Sequence, residues 1–138
     1  MHHETRSNKK YFKNKKIIIL FRVTKECEKH GIKYFLISAR VTQSYDSGCC
    51  IYFYFGFNGA EIENPLKSYE EIEEAARDEI LAVGGSISHH HGVGKLRSRW
   101  YPQQVSKLGV ELFKLTKAQL DPKNIFANGN LINLHSNL

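Results

Sequence analysis

Across residues 18–30 apolar side chains return every four positions, at Ile19, Val23 and Cys27, with Ile18 and Phe21 widening the stripe. That spacing belongs to one face of a helix, and Gly31 supplies a C-terminal stop. The period then changes. Residues 33–41 (KYFLISARV) and 50–57 (CIYFYFGF) are β-rich, and the intervening TQSYDSG carries Asp46, Ser47 and Gly48, the usual chemistry of a hairpin connection. In the second strand, alternation puts Ile51, Phe53, Phe55 and Phe57 on one face and Cys50, Tyr52, Tyr54 and Gly56 on the other. The phenylalanine face is expected in the core. The tyrosine face suits either a half-buried sheet surface or the wall of a cleft.

The helical period returns after residue 67. Ser68 followed by Glu71 makes a capping box, and Ile72, Ala76, Ile80 and Val83 form a stripe that ends at Gly84 and Gly85. A last helix over residues 103–118 is expected to bury Val105, Leu108, Leu112 and Leu115, with Asp121-Pro122 terminating it. The segment NIFANGNLI continues as an irregular apolar stretch. Helix, hairpin, helix, helix, without internal repeats, reads as an α+β fold, and 138 residues suit a single domain.

Charge changes this picture at one end only. The net charge is +6, but residues 1–16 hold six Lys and Arg against Glu4, leaving 14 basic and 13 acidic residues downstream. The basicity therefore belongs to residues 1–18, which lack apolar periodicity and are expected to be a disordered tail. A basic-tailed nucleic-acid-binding module is one reading of that tail, although the near-neutral body does not support it. Three cysteines, Cys27, Cys49 and Cys50, have no disulfide-framework spacing. No apolar run approaches the roughly 20 residues of a membrane span. The terminal Ser136-Asn137-Leu138 is one residue away from the peroxisomal S-K-L tripeptide.

The candidate chemistry lies in residues 84–100, GGSISHHHGVGKLRSRW. A zinc site is weakly supported, because adjacent histidines in an extended loop point alternately and no CxxC or HExxH accompanies them. A P-loop fails on spacing: His89 stands where its first glycine belongs, Leu96 follows Lys95, and the loop follows a helix. A catalytic loop remains, against the bland alternative of a solvated one. Glycines permit close backbone approach, imidazole suits proton transfer near neutral pH, and Lys95, Arg97 and Arg99 are candidates for holding an anionic group such as a phosphate.

Three runs, RVTQSYDSGCCIYFYFGFN, EEAARDEILAVGGSISHHHGVGKLRSRW and LDPKNIFANGNLI, strongly resemble the C-terminal part of the alkyldihydroxyacetonephosphate (alkylglycerone-phosphate) synthase family, FAD-linked flavoproteins of the vanillyl-alcohol-oxidase type. HHHGVGKLR after GGS is the specific portion; LDPxNIF is shared more widely among FAD-linked oxidases. The resemblance covers about residues 19–138. It implies a C-terminal cap or substrate-domain fragment of an FAD-linked oxidase-type fold. The implied reaction exchanges the acyl group of acyl-dihydroxyacetone phosphate for a long-chain fatty alcohol, in peroxisomal ether-lipid synthesis.

By position, Tyr52 matches the family's catalytic tyrosine, and His89, His90 and His91 match its essential histidine triplet. Asn128, Gly129, Asn130, Leu131 and Ile132 match its functional C-terminal segment, with Gly for Arg at 129 and Ile for Leu at 132. A phenol is a poor base at neutral pH unless cations stabilise the phenolate, so the loop is expected to pack over the Tyr52 face. The glycine-rich phosphate-binding segments of the FAD domain are absent here. The resemblance therefore implies non-covalent FAD held mainly by another domain, a homodimer as the full-length enzyme, a membrane surface as a further partner, and an inactive fragment when alone. An FAD-linked D-lactate or glycolate-type dehydrogenase is the runner-up.

Overall fold

The computed structural model describes residues 2–46 and 48–132, with side chains from residue 14 onward; Met1, Ser47 and residues 133–138, including the S-N-L tripeptide, lie outside the described residues. In chain order the elements are α1 (His2–Lys29), β1 (Phe35–Tyr45), β2 (Gly48–Phe57), α2 (Pro65–Ala82) and α3 (Tyr101–Leu120), the last preceded by a 3-10 turn, Ser98–Trp100. They fall into two compact units, Met1–Gly84 and Gly85–Leu138. No helix among the described residues is long and apolar enough to cross a membrane.

In the first unit, α1 and α2 pack on one face of a two-stranded antiparallel hairpin. Val23, Cys27, Ile32 and Ile72 form the buried cluster, with Phe35, Ile37, Phe55 and Phe57 of the sheet against it. The i,i+4 stripe of α1 is buried as its spacing dictates, but its expected widening is not. Ile18 is exposed, and Phe21 is 62% exposed. Phe21 lies about 200° around the helix from Ile19, on the opposite side. Glu26 is buried in their place, bonded to Arg22 at 3.1 Å and Lys29 at 3.2 Å, which meets the requirement that a buried charge be paired.

Helix α1 ends in a Schellman arrangement: Ile32 N–H donates to the Cys27 carbonyl and Gly31 N–H to that of Glu28. Its other end differs from the sequence expectation, because the helix extends back to His2 through the basic segment. Residues 2–17 contain neither Gly nor Pro, so nothing in the backbone interrupts propagation from the packed turns. The two helices run antiparallel. Lys15 Nζ lies 3.5 Å from where a Cβ on Gly84 would sit, and His30 Nε2 lies 3.3 Å from Glu71 Oε2 at the opposite end. A cation beside the end of α2 also complements its dipole.

The hairpin is longer and tighter than its composition suggested. Tyr45 pairs with Gly48, so most of TQSYDSG is strand, and an irregularity between Val41 and Gln43 accommodates Thr42. Alternation holds: Phe53, Phe55 and Phe57 face Ala39, Ile37 and Phe35 across the ladder. This face is half-buried, and Tyr69 of α2 stacks on Phe55 with centroids 4.9 Å apart.

Helix α2 starts earlier than the capping box implied. Asn64 is the N-cap, its side chain accepting from Lys67 N–H, and Pro65 opens the helix. Ser68 is instead a buried helical position one turn before Ile72.

In the second unit Ile87, Trp100, Val110 and Ile132 are buried. Here the stripe of α3 is overturned: Leu108, Leu112 and Leu115 are 79%, 65% and 62% exposed, and Val105 is half-buried. Val110, about 200° from Leu108, carries the buried face. Ser106 at φ 70° breaks the helix between the expected first and second stripe positions, so Val105 does not continue the same face.

Candidate active site

The tyrosine face of β2 carries Tyr52, half-buried, and Tyr54, more exposed, their rings edge-on at 6.3 Å. Across the ladder, Arg40 is the Cα partner of Tyr52, and its guanidinium lies 5.9 Å from the centroid of the Tyr54 ring. This face therefore combines two phenols with a permanent cation. Burial, reinforced by the charges of Glu26 and Glu28, pushes the Cys27 thiol up, and burial then Cys50 does the same for Cys49. All three cysteines are free.

The histidines belong to the second unit. His89 Nδ1 lies 2.8 Å from His90 Nδ1, their rings meet edge-on at 5.0 Å, and His91 packs against His90 at 4.2 Å. Two ring nitrogens at that spacing require one to carry a proton and the other to be bare. The pair thus holds unlike tautomers, one presenting a donor where the other presents an acceptor. All three rings are exposed, whereas Ser88 Oγ, immediately before them, is buried with no hydrogen-bond partner among the described residues. Among the described residues no three His, Cys, Asp or Glu side chains converge as a metal set.

Both legs of this loop are anchored. On the entry side Ile87 N–H donates to Gln104 Oε1 at 3.0 Å, Gln104 Nε2 donates to Ser86 Oγ at 2.8 Å, and Ser86 Oγ donates to the Ser88 carbonyl at 2.8 Å. On the exit side Arg97 Nη1 donates to the Gly92 carbonyl at 2.9 Å, and Leu131 N–H donates to the Gly94 carbonyl at 3.2 Å. Arg97, a phosphate candidate by sequence, thus spends one donor on the loop itself. Lys95 is exposed, and the Arg99 guanidinium lies 4.0 Å over the Trp100 ring.

The C-terminal segment is shaped from Asp121, which stands just after α3. Its Oδ1 accepts from Ile125 N–H at 3.0 Å, its Oδ2 accepts from Phe126 N–H at 2.9 Å, and Lys117 pairs with it. Lys117 first, then these backbone donors, hold the carboxyl below its usual range despite its burial. Two tight turns follow, with Asn130 N–H donating to the Ala127 carbonyl and Ile132 N–H to that of Asn130. They bring Leu131 to Gly94 and leave Ile132 buried. The histidine loop and the Asn128–Ile132 segment are therefore parts of one construction.

A family profile described as FAD linked oxidases, C-terminal domain, matches residues 18–131. The chain belongs to the FAD-linked oxidases. It is 50% identical to alkyldihydroxyacetonephosphate synthase of Caenorhabditis elegans over 86% of this chain and 21% of that protein. Enzymes of the same name from Trypanosoma brucei brucei and Dictyostelium discoideum are each 33% identical, over 70% and 64% of this chain and 16% and 14% of their own lengths. The chain thus spans about a fifth or less of these curated relatives. The family resemblance expected from the three sequence runs is what these matches show, and the α+β architecture agrees with it.

Of the residues singled out by sequence, the structure brings His89, His90 and His91 together with the C-terminal segment in the second unit. Tyr52 stands with Arg40 and Tyr54 in the first. Arg40, Gln104 and Asp121 were not anticipated. Asp121 had a readable signal, an aspartate directly after a helical run with N–H donors four and five residues on. Gln104 had none, since its partner is 17 residues away.

Proposed function

We infer that this chain is the C-terminal catalytic portion of an FAD-dependent alkylglycerone-phosphate synthase, which replaces the acyl group of acyl-dihydroxyacetone phosphate with a long-chain fatty alcohol. The observation that carries the reading is the 50% identity to the C. elegans enzyme, with the histidine triplet intact on a loop bonded to the C-terminal segment. In this reading Tyr52 takes the proton from the reacting carbon, and Arg40 across the strand supplies positive charge to the same face. The unlike tautomers of His89 and His90 offer a donor and an acceptor side by side, so the pair can pass a proton without rearranging. Lys95, exposed on the same loop, is the residue assigned to a phosphate, while Arg97 both holds the loop and retains guanidinium donors for the same anion.

The residues present fit one side of a flavin. The unpartnered Ser88 Oγ and three exposed imidazoles supply the donors and acceptors that a polar ring edge requires. When bound, FAD would supply an electron-accepting ring beside the reacting carbon. Its main binding site is assigned to a domain outside this chain, so the chain alone binds FAD poorly and turns over nothing; flavin absorbance co-purifying with it would contradict that assignment. The full-length enzyme is proposed to be a peroxisomal homodimer working beside a membrane surface.

Grafting this chain in place of the matching segment of the C. elegans relative, with and without Tyr52→Phe, tests the role of Tyr52. Loss of exchange by about a hundredfold or more with FAD retained supports it. Undiminished exchange in the Tyr52→Phe graft removes Tyr52 from the chemistry.

A further inference from the structure

The geometry points to Gln104 as the positioning residue of the histidine triplet. Its place in the fold makes this specific. Gln104 sits in the first turn of α3, two residues after Pro102, where backbone N–H groups need no helical partner and side chains are well placed to reach a preceding loop. The amide uses both of its ends on the segment leading into His89, accepting from Ile87 N–H and donating to Ser86 Oγ. Ser86 Oγ, its lone pair engaged, turns its own proton to the Ser88 carbonyl.

That chain of three bonds fixes the peptide groups on both sides of Ile87, whose side chain is buried and serves as the pivot. The next residue but one is His89, whose Nδ1 must arrive 2.8 Å from that of His90 for the two rings to hold unlike tautomers. A loop with glycines at 84, 85, 92 and 94 has little stiffness of its own. The register of the rings is therefore imposed from α3, through the bonds of Gln104 to Ile87 N–H and Ser86 Oγ. Gln104 acts through the loop backbone and not on a reacting atom.

The functional importance of this role rests on the synthase reading, but its test does not. In the 138-residue chain, amide exchange and the ring ¹⁵N signals of His89 and His90 are followed in Gln104→Leu, Gln104→Glu and Ser86→Ala, with Gln103→Ala as control. The wild type should show one protonated and one bare Nδ1 in the pair. Gln104→Leu should speed exchange of the Ile87 amide by about tenfold, the effect of a lost hydrogen bond, and average the two Nδ1 signals. Gln104→Glu keeps an acceptor for Ile87 N–H and should retain its protection. Ser86→Ala should average the Nδ1 signals while leaving Ile87 protected.

The Val110 amide reports folding of the unit; if Gln104→Leu unfolds it, the Glu and Ser86 variants carry the test. Unchanged Nδ1 signals in Gln104→Leu, with Ile87 deprotected, would make Gln104 a structural clamp only and overturn the proposal. Unchanged Ile87 exchange would remove the bond itself. No turnover is read, so neither result depends on whether the synthase reading holds.

Discussion

Gly94 joins the exit leg of the histidine loop to the C-terminal segment, and replacing it with alanine isolates the strength of that joint. Its φ is +61°, in the left-handed region, and an added Cβ would meet only Asn130 Oδ1, at 3.9 Å. That is ordinary contact, so no steric clash adds to the cost. What remains is the backbone strain of an L-residue in that region, about 1–2 kcal/mol. This corresponds to roughly a 5- to 30-fold fall in the population of the bonded loop. The Gly94 carbonyl accepts from Leu131 N–H, so exchange of the Leu131 amide reads that population directly. Gly94→Ala should accelerate it by that factor, and Gly94→Asn should recover part of the loss, since asparagine tolerates the left-handed region. An unchanged Leu131 rate in Gly94→Ala would show that loop and C-terminal segment are not coupled through this residue, and equal acceleration by Ala and Asn would show that left-handed strain is not the cause.

Gly129, where the resemblance has Arg, is at φ +69° with open space around it; Gly129→Arg should cost about 1–2 kcal/mol and lower the thermal midpoint, and an unchanged or higher midpoint contradicts this. Asp121 has a depressed pKa in the folded chain, so its stabilisation is complete above the unfolded value near 3.9 and disappears as pH falls through the folded one. Denaturant titrations at falling pH should show stability declining below about pH 4, with the Asp121-dependent part of the decline absent in Asp121→Asn; equal slopes in the two proteins would contradict it. Ile72 is fully buried at the centre of the first unit, so Ile72→Ala should cost about 2–5 kcal/mol, and a loss below about 1 kcal/mol by denaturant titration would move the core elsewhere.

What the sequence made legible follows a physical division. Ile19, Val23 and Cys27 could be read because one helical face was also the buried face. Leu108, Leu112 and Leu115 have equally regular spacing and stand exposed, because periodicity reports that a face is apolar and not which neighbour covers it. Ser68 and Glu71 satisfied a local capping pattern, but Asn64 followed by Pro65 satisfied a stronger one a turn earlier.

At the site, the histidine triplet and the Asn128–Ile132 segment were visible as motifs. That they form one construction was not, since the joint is a backbone bond between Gly94 and Leu131 in which side-chain identity plays no part. Arg40 stayed hidden for a related reason. Its pairing with Tyr52 depends on the hairpin register, and the irregularity at Thr42 offsets every pair beyond it, Arg40 and Tyr52 included, from the register set at the turn.

We propose that this chain completes an enzyme of group exchange and not of net oxidation. The most direct measurement supplies the graft onto the C. elegans relative with acyl-dihydroxyacetone phosphate, a labelled fatty alcohol and an electron-accepting dye. The expected result is one ether-linked product for each fatty acid released, with no reduction of the dye. Dye reduction with a 2-hydroxy acid as substrate, and no labelled ether, would contradict it.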